Sequence, residues 1–177
     1  YLYEQQSAGR TRLYHRMLAE YYERTQGGRY AALPVIAHHW MHALCPVKAY
    51  GYQIRYLQEF YTILNENFPI VHSEITDLGG QFGALAEAEK MLELAKDVIR
   101  LEDNSPEVSR MKMQMLYILG RHDIAAGHYD SGVAAIEQCM MAARRCADLD
   151  MLFSCYLQHI FHSIQTSNLE KAERYTT

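Results

Sequence analysis

The sequence predicts an all-α protein in which antiparallel helical hairpins stack into an α-solenoid. Residues 111–146 read as two helices joined by a turn at Gly127, His128 and Tyr129. A similar spacing of small and large residues recurs elsewhere in the chain, and recurrence of this kind indicates a repeat array. Only four prolines and ten glycines occur among 177 residues, so long loops are not expected.

The hairpin carries small residues where two helices would have to come close. Gly120 interrupts the first helical pattern, at a cost of about 1 kcal/mol relative to alanine, and a neighbouring helix at short range would explain it. After the turn, small and large residues alternate in the tetratricopeptide order: Gly127, Tyr129, Gly132, Ile136, Cys139. Leu116 and Asp123 stand where this repeat usually has aromatic residues. The alternative is an ordinary helical hairpin of an all-α domain.

Two further copies of the hairpin pattern support a repeat array. The earlier copy has the same small-large spacing at Gly83, Leu85, Ala88, Leu92 and Ala95. A later copy begins with Leu169 and Ala172. The copies are offset by 44 residues (Gly83 to Gly127) and by 40 residues (Tyr129 to Leu169), which exceeds the roughly 34 residues of a regular tetratricopeptide array. We therefore expect longer helices and turns than in a regular array.

Residues 1–30 are predicted to form a helix that links the array to an upstream domain. The helix spans about Ser7 to Arg24 and ends at Gly27-Gly28, since glycines commonly follow a helix C-terminus. Its predicted apolar stripe is Leu13, Met17, Leu18 and Tyr21. Residues 31–177 then form the repeats. The chain starts without methionine and stops soon after a helix begins at residue 168, so we expect a truncated array with more protein on both sides.

The second predicted helix, residues 34–44, carries three histidines. Pro34 suits its first turn, and one face is predicted to hold Ile36, Ala37, Trp40 and Leu44. His38 and His42 have the i,i+4 spacing of metal ligands on a helix, whereas His39 is expected to point elsewhere. No third ligand and no H-E-x-x-H motif accompany the pair. We therefore expect packing and hydrogen bonding, and we assign no catalytic, cofactor-binding or metal-binding residue.

The remaining helices follow from periodicity and capping residues. A third helix, Pro46 to about Asn65, is predicted to turn an apolar stripe inward: Tyr50, Ile54, Leu57, Tyr61, Leu64. A fourth, about Gln81 to Arg100, would expose a charged face: Glu87, Glu89, Lys90, Glu93, Lys96. Ser105 and Pro106 read as the cap and first residue of the next helix. A last helix, about residues 150–165, is predicted to bury Leu152, Tyr156, Leu157 and Ile160.

Composition excludes several classes of function. A hydrophobic content of 49% is too high for a disordered chain. The net charge of −4 and the absence of long basic runs argue against nucleic acid as a partner. No apolar stretch reaches the roughly 20 residues of a membrane span. Of the four cysteines, Cys139, Cys146 and Cys155 fall at core-like helical positions and Cys45 in a turn. Buried free thiols of this kind indicate a reducing, cytoplasmic compartment.

Two stretches are similar to a family of signalling proteins. The run LYEQQSAGRTRLYHRMLAEYYE resembles the segment that follows the nucleotide-binding and winged-helix parts of signal-transduction ATPases. The run LPVIAHHWMHALCPVKAYGYQIRYLQE resembles the first repeat of the array that comes next. The residues that carry this likeness are Ala37, His38, His39, Trp40, Lys48, Ala49, Tyr56 and Leu57. Pro46 departs from the usual glycine-rich turn, and the insertion at residues 66–80 is long.

Over roughly residues 1–100, the chain looks most like the C-terminal region of soluble adenylyl cyclase-type proteins. Transcriptional regulators with the same layout share the pattern. The chain has no phosphate-binding loop of the form G-x-x-x-x-G-K-[ST], so the resemblance transfers no catalytic residue and no cofactor. It implies a non-catalytic regulatory or scaffolding segment of a larger cytosolic protein, which contacts a protein partner or other domains of its own chain.

Two other functions stay open at the level of sequence. The same fold would serve as a structural component of a cytoskeletal or ciliary assembly. A helical domain that binds a small ligand would use the cluster of His38, His42, Tyr50 and Tyr52, provided that these side chains converge on one pocket.

Overall fold

The computed structural model describes residues 8–63 and 89–166, and every regular element within these ranges is a helix, which confirms the all-α class. The helices are α1 (Ala8–Gln26), α2 (Leu33–His42), α3 (Pro46–Ile63), α4 (Pro106–Ala125), α5 (Tyr129–Cys146) and α6 (Leu149–Gln165). Short 3-10 helices occur at Tyr30–Ala32 and Lys96–Arg100, the second continuing a helical stretch at residues 89–95.

The chain divides into two compact units. The described part of the first unit is residues 8–63 and 89–101, and that of the second is residues 102–166. Several predicted features lie outside the described residues: Leu64, the insertion at 66–80, Gly83, Leu85, Glu87, Ala88, and the later repeat copy at Leu169 and Ala172.

In the first unit, α2 packs against both α1 and α3 around Trp40. Three alanines surround this indole, Ala19 from α1, Ala32 before α2 and Ala49 from α3, and all are buried. Ile36 and Ala37 are also buried, as predicted. Small side chains on the neighbours leave room for one large ring, so three helices can meet at short range.

The predicted apolar stripe of α1 is wrong. Leu13, Met17, Leu18 and Tyr21 are 42–57% exposed, whereas His15 and Ala19 are buried. The physical reason is contact distance, because the small side chain of Ala19 lets α2 approach where a leucine would hold it away. Leu44 was also predicted inward, but it is exposed and has a positive φ of 59° in the turn that ends α2.

The predicted stripe of α3 is confirmed in its described part. Tyr50, Ile54, Leu57 and Tyr61 are all buried. The aromatic residues of α3 therefore belong to packing, as the sequence predicts.

Farther along the chain, Leu92 and Ala95 are buried, while Glu89, Lys90 and Glu93 are exposed.

The second unit is built on the predicted hairpin of α4 and α5. Ser105 caps α4 by accepting a hydrogen bond from the backbone N–H of Val108 at 3.3 Å. Gly127 takes the left-handed φ of 81° in the turn between the helices. A Cβ added to Gly132 would lie 2.8 Å from the carbonyl oxygen of Gly120. The two glycines thus mark a close crossing of α4 and α5.

The buried face of α6 differs from the predicted one. Leu157 is exposed, and Leu152, Tyr156 and Ile160 are only partly buried. The most buried residues of α6 are instead Cys155, Gln158, His159, His162 and Ser163. Apolar residues occur on nearly every side of this helix, so periodicity alone left its inward face undetermined. The contact with α5 decides it.

We predict that Gly132→Ala lowers the urea midpoint of unfolding. The new methyl group would meet the Gly120 carbonyl oxygen at 2.8 Å and the Ile124 backbone nitrogen at 2.9 Å. Overpacking of this kind costs about 1–3 kcal/mol, more than the helix propensity of alanine returns. Circular dichroism during urea titration measures the change.

The matched control is Gly9→Ala in α1, where an added Cβ meets nothing within 4 Å. This variant should unfold at the same or a slightly higher urea concentration, because alanine is the better helix former. Equal midpoints for Gly132→Ala and the unmodified chain would contradict the close crossing.

Candidate functional site

The second unit contains a wide, open groove. It has a volume of about 1140 Å³ and lies between the first half of α4 and the start of α6. Its lining residues are Asn104, Pro106, Ser109, Arg110, Met113, Gln114, Cys146, Ala147, Asp148, Leu149, Asp150, Met151 and Ser154. The volume exceeds the roughly 300–1,000 Å³ of typical small-molecule pockets.

Two capped helix starts position the walls of the groove. Asp103 accepts a hydrogen bond from the backbone N–H of Ser105 at 2.7 Å, next to the cap of α4. Ala147 adopts a left-handed conformation that ends α5. Asp148 then caps α6 by accepting from the backbone N–H of Met151 at 3.0 Å. Because the turn is so short, α6 folds back along α5 and its first turns face α4 across the groove.

The lining combines hydrogen-bonding and apolar groups. Arg110 and Asp150 are exposed charges of opposite sign, and Gln114 supplies an amide. Leu149 is 74% exposed, and Met151 is partly buried. Backbone amides and mixed side chains of a polypeptide complement such a lining, whereas small-molecule pockets are predominantly apolar.

The three helical cysteines fall into two environments. Cys139 and Cys155 are buried and unbridged, whereas Cys146 is exposed in the groove, so its predicted core position is wrong. The position of Cys146 in the last turn of α5, beside the groove, accounts for this. The Cys139 thiol donates to the Met113 carbonyl oxygen at 3.3 Å. A hydrogen bond with Cys155 and burial both raise the pKa of Cys139, which keeps this thiol protonated.

A histidine cluster lies in the first unit, where α1 crosses α2. His15 of α1 packs against three histidines of α2, with ring centroids 5.8 Å from His38, 5.1 Å from His39 and 4.8 Å from His42. The Nδ1 atoms of His15 and His39 are 2.9 Å apart. The expectation that His39 points elsewhere is therefore wrong. The i,i+4 pair of His38 and His42 has its third histidine partner on a different helix. That partner is His15 of α1, 23 residues before His38.

The environment disfavours the charged form of three of these imidazoles. Burial lowers the pKa of His15, His38 and His39, and the neighbouring histidines lower it further. Lys90 adds a smaller effect of the same sign at His38. Tyr22 stacks in parallel with His39 at a centroid distance of 5.8 Å. His42 bonds through Nδ1 to the His38 carbonyl oxygen at 2.9 Å.

The two tyrosines of the alternative ligand cluster have other roles. Tyr52 donates its hydroxyl to the Glu23 carboxylate at 2.7 Å, which ties α3 to α1. Tyr50 is buried, and burial and the nearby Asp97 raise its pKa. The structure thus brings His38 and His42 together, with a centroid distance of 4.1 Å, and uses the tyrosines in packing. Sequence reasoning missed His15, because no local spacing connects it to α2.

Comparisons with known proteins supply no relative. A scan against protein-family models finds no match, and neither do searches of curated proteins and of solved structures. Among the described residues, no helix combines the length and the apolar character that crossing a membrane requires.

We predict that alkylation under native conditions modifies Cys146 first. Its thiol is exposed, whereas Cys45 is partly buried and Cys139 and Cys155 are buried. Mass spectrometry of the modified peptides over time measures the four rates. In denaturing urea all four should react at similar rates. Native modification of Cys155 as fast as that of Cys146 would show that the α5–α6 contact is wrong.

Proposed function

We propose that this chain is a non-catalytic regulatory or scaffolding segment of a larger cytosolic protein, and that the groove between α4 and α6 binds a polypeptide. The observation that carries the proposal is the open groove with its mixed lining. A small-ligand function would need a more enclosed and more apolar pocket.

We propose that the chain forms a tetratricopeptide-like solenoid, and this arrangement would account for the position of the groove. In such arrays the first helices of successive hairpins line one concave face, and the second helices stand behind them. We assign α4 and α6 to the first position and α5 to the second. The close crossing at Gly120 and Gly132 supports this assignment, because small residues at these positions are part of the repeat pattern.

The resemblance to soluble adenylyl cyclase-type proteins and signal-transduction ATPases suggests the larger context. In that context the bound polypeptide is either a separate protein or another domain of the same chain. Both would present backbone amides to Gln114 and apolar side chains to Met151. We expect the contact to regulate or position domains rather than to perform chemistry.

Photo-crosslinking tests this function. A photoreactive amino acid at Ser154, inside the groove, should capture a defined polypeptide from cytosol, which mass spectrometry then identifies. The same amino acid at Glu137, exposed on α5 and outside the groove lining, should not capture it. The bound polypeptide should also slow alkylation of Cys146 at least severalfold, because this thiol lines the groove.

A matched pair of tryptophan variants provides the control. Ser109→Trp places a large ring inside the groove and should abolish capture, whereas Glu137→Trp should leave it unchanged. Circular dichroism verifies that both variants stay helical. Capture of the same proteins from both crosslinking positions, or undiminished capture by Ser109→Trp, would contradict the proposal.

A further inference from the structure

Three histidines at the crossing of α1 and α2 have the geometry of a metal site. One nitrogen of each of His15, His38 and His39 lies within 4.8 Å of the others. Two adjacent positions on α2 provide two of these groups, and the buried face of α1 provides the third. The cluster therefore joins side chains from two helices, and the spacing of residues within one helix does not produce it.

The spacing fits an imidazole-coordinated ion. Tetrahedral zinc with Zn–N bonds of about 2.0–2.1 Å holds its nitrogen donors about 3.3 Å apart. The observed Nδ1–Nδ1 distance of 2.9 Å between His15 and His39 lies below this value, and the 4.8 Å limit lies above it. The nitrogen–nitrogen separations would therefore have to change by at most about 1.5 Å for the three atoms to reach coordination distance.

Access from solvent and the type of ligand both suit metal binding. Imidazole binds metal through a deprotonated ring nitrogen, and each of the three side chains offers one ring nitrogen to the cluster. His38 is exposed and His39 half-buried, which opens a path from solvent, while His15 forms the buried floor. The positive charge of Lys90 near His38 would repel a bound cation. The affinity for the ion therefore has to come from the three bonds to nitrogen.

We propose that His15, His38 and His39 together bind one divalent transition-metal ion of the zinc class, which fastens α1 to α2. Three protein ligands leave a fourth position for water or for a ligand from outside the chain. Imidazole donors without thiolate suit zinc, copper, nickel and cobalt rather than calcium or magnesium. The proposal does not depend on the groove, which belongs to the other unit.

Zinc titration of the 177-residue chain tests the site. The chain is first stripped with a chelator, and Zn²⁺ is then added in competition with a chromophoric indicator. We expect one ion per chain and a rise in melting temperature. His15→Gln and His39→Gln should each weaken binding at least tenfold. Co²⁺ in place of Zn²⁺ should give the visible absorption of a nitrogen-coordinated ion.

Two further variants keep the test decisive. His128→Gln changes an exposed histidine of the other unit and should bind Zn²⁺ like the unmodified chain. His38→Gln changes an exposed ligand, so it should keep the fold, as judged by circular dichroism, even where a substitution at buried His15 disturbs it. Absence of stoichiometric binding, or unchanged affinity in His38→Gln and His39→Gln, would overturn the proposal.

Discussion

Close approach of helices at small residues is the constraint on which both units depend. In the second unit, Gly120 and Gly132 let α4 and α5 cross with almost no space for a side chain between them. The position of α5 then fixes where α6 can return, and with it the groove. In the first unit, Ala19 plays the corresponding part beside Trp40. A larger residue at either glycine would meet atoms of the facing helix at less than 3 Å, and overpacking of this kind is destabilising.

The close crossing of α1 and α2 also determines which polar groups are buried. His15 lies one turn before Ala19 on the same face of α1, so the crossing that buries the alanine buries the imidazole as well. Inside, His15 finds a hydrogen-bonding partner in His39 at 2.9 Å. A buried polar side chain without such a partner would cost free energy. The histidine cluster is therefore coupled to the packing of the unit, and it stabilises the same contact that creates it.

The two candidate sites differ in how they relate to the fold. The groove is a surface left open between α4 and α6, lined by side chains with little packing of their own, such as Leu149 and Arg110. On the proposed function, substitutions there alter recognition more than stability. The histidines lie within a helix contact, so the same groups contribute to packing and offer nitrogen donors. A ligand in the groove would thus bind to an open surface, whereas an ion at the histidines would bind within the contact of α1 and α2.

The sequence by itself determined the helical class, the hairpin with its glycine crossing, the cap at Ser105 and the buried stripe of α3. These features depend on local spacing and on capping chemistry, which act between residues a few positions apart. Tertiary structure alone decided that α1 turns His15 and not Leu13 inward, that α6 buries His159 rather than Leu157, and that His15 joins His38 and His39. Those outcomes depend on which neighbour covers a helix and how closely it can approach, and periodicity within one helix holds no information about either.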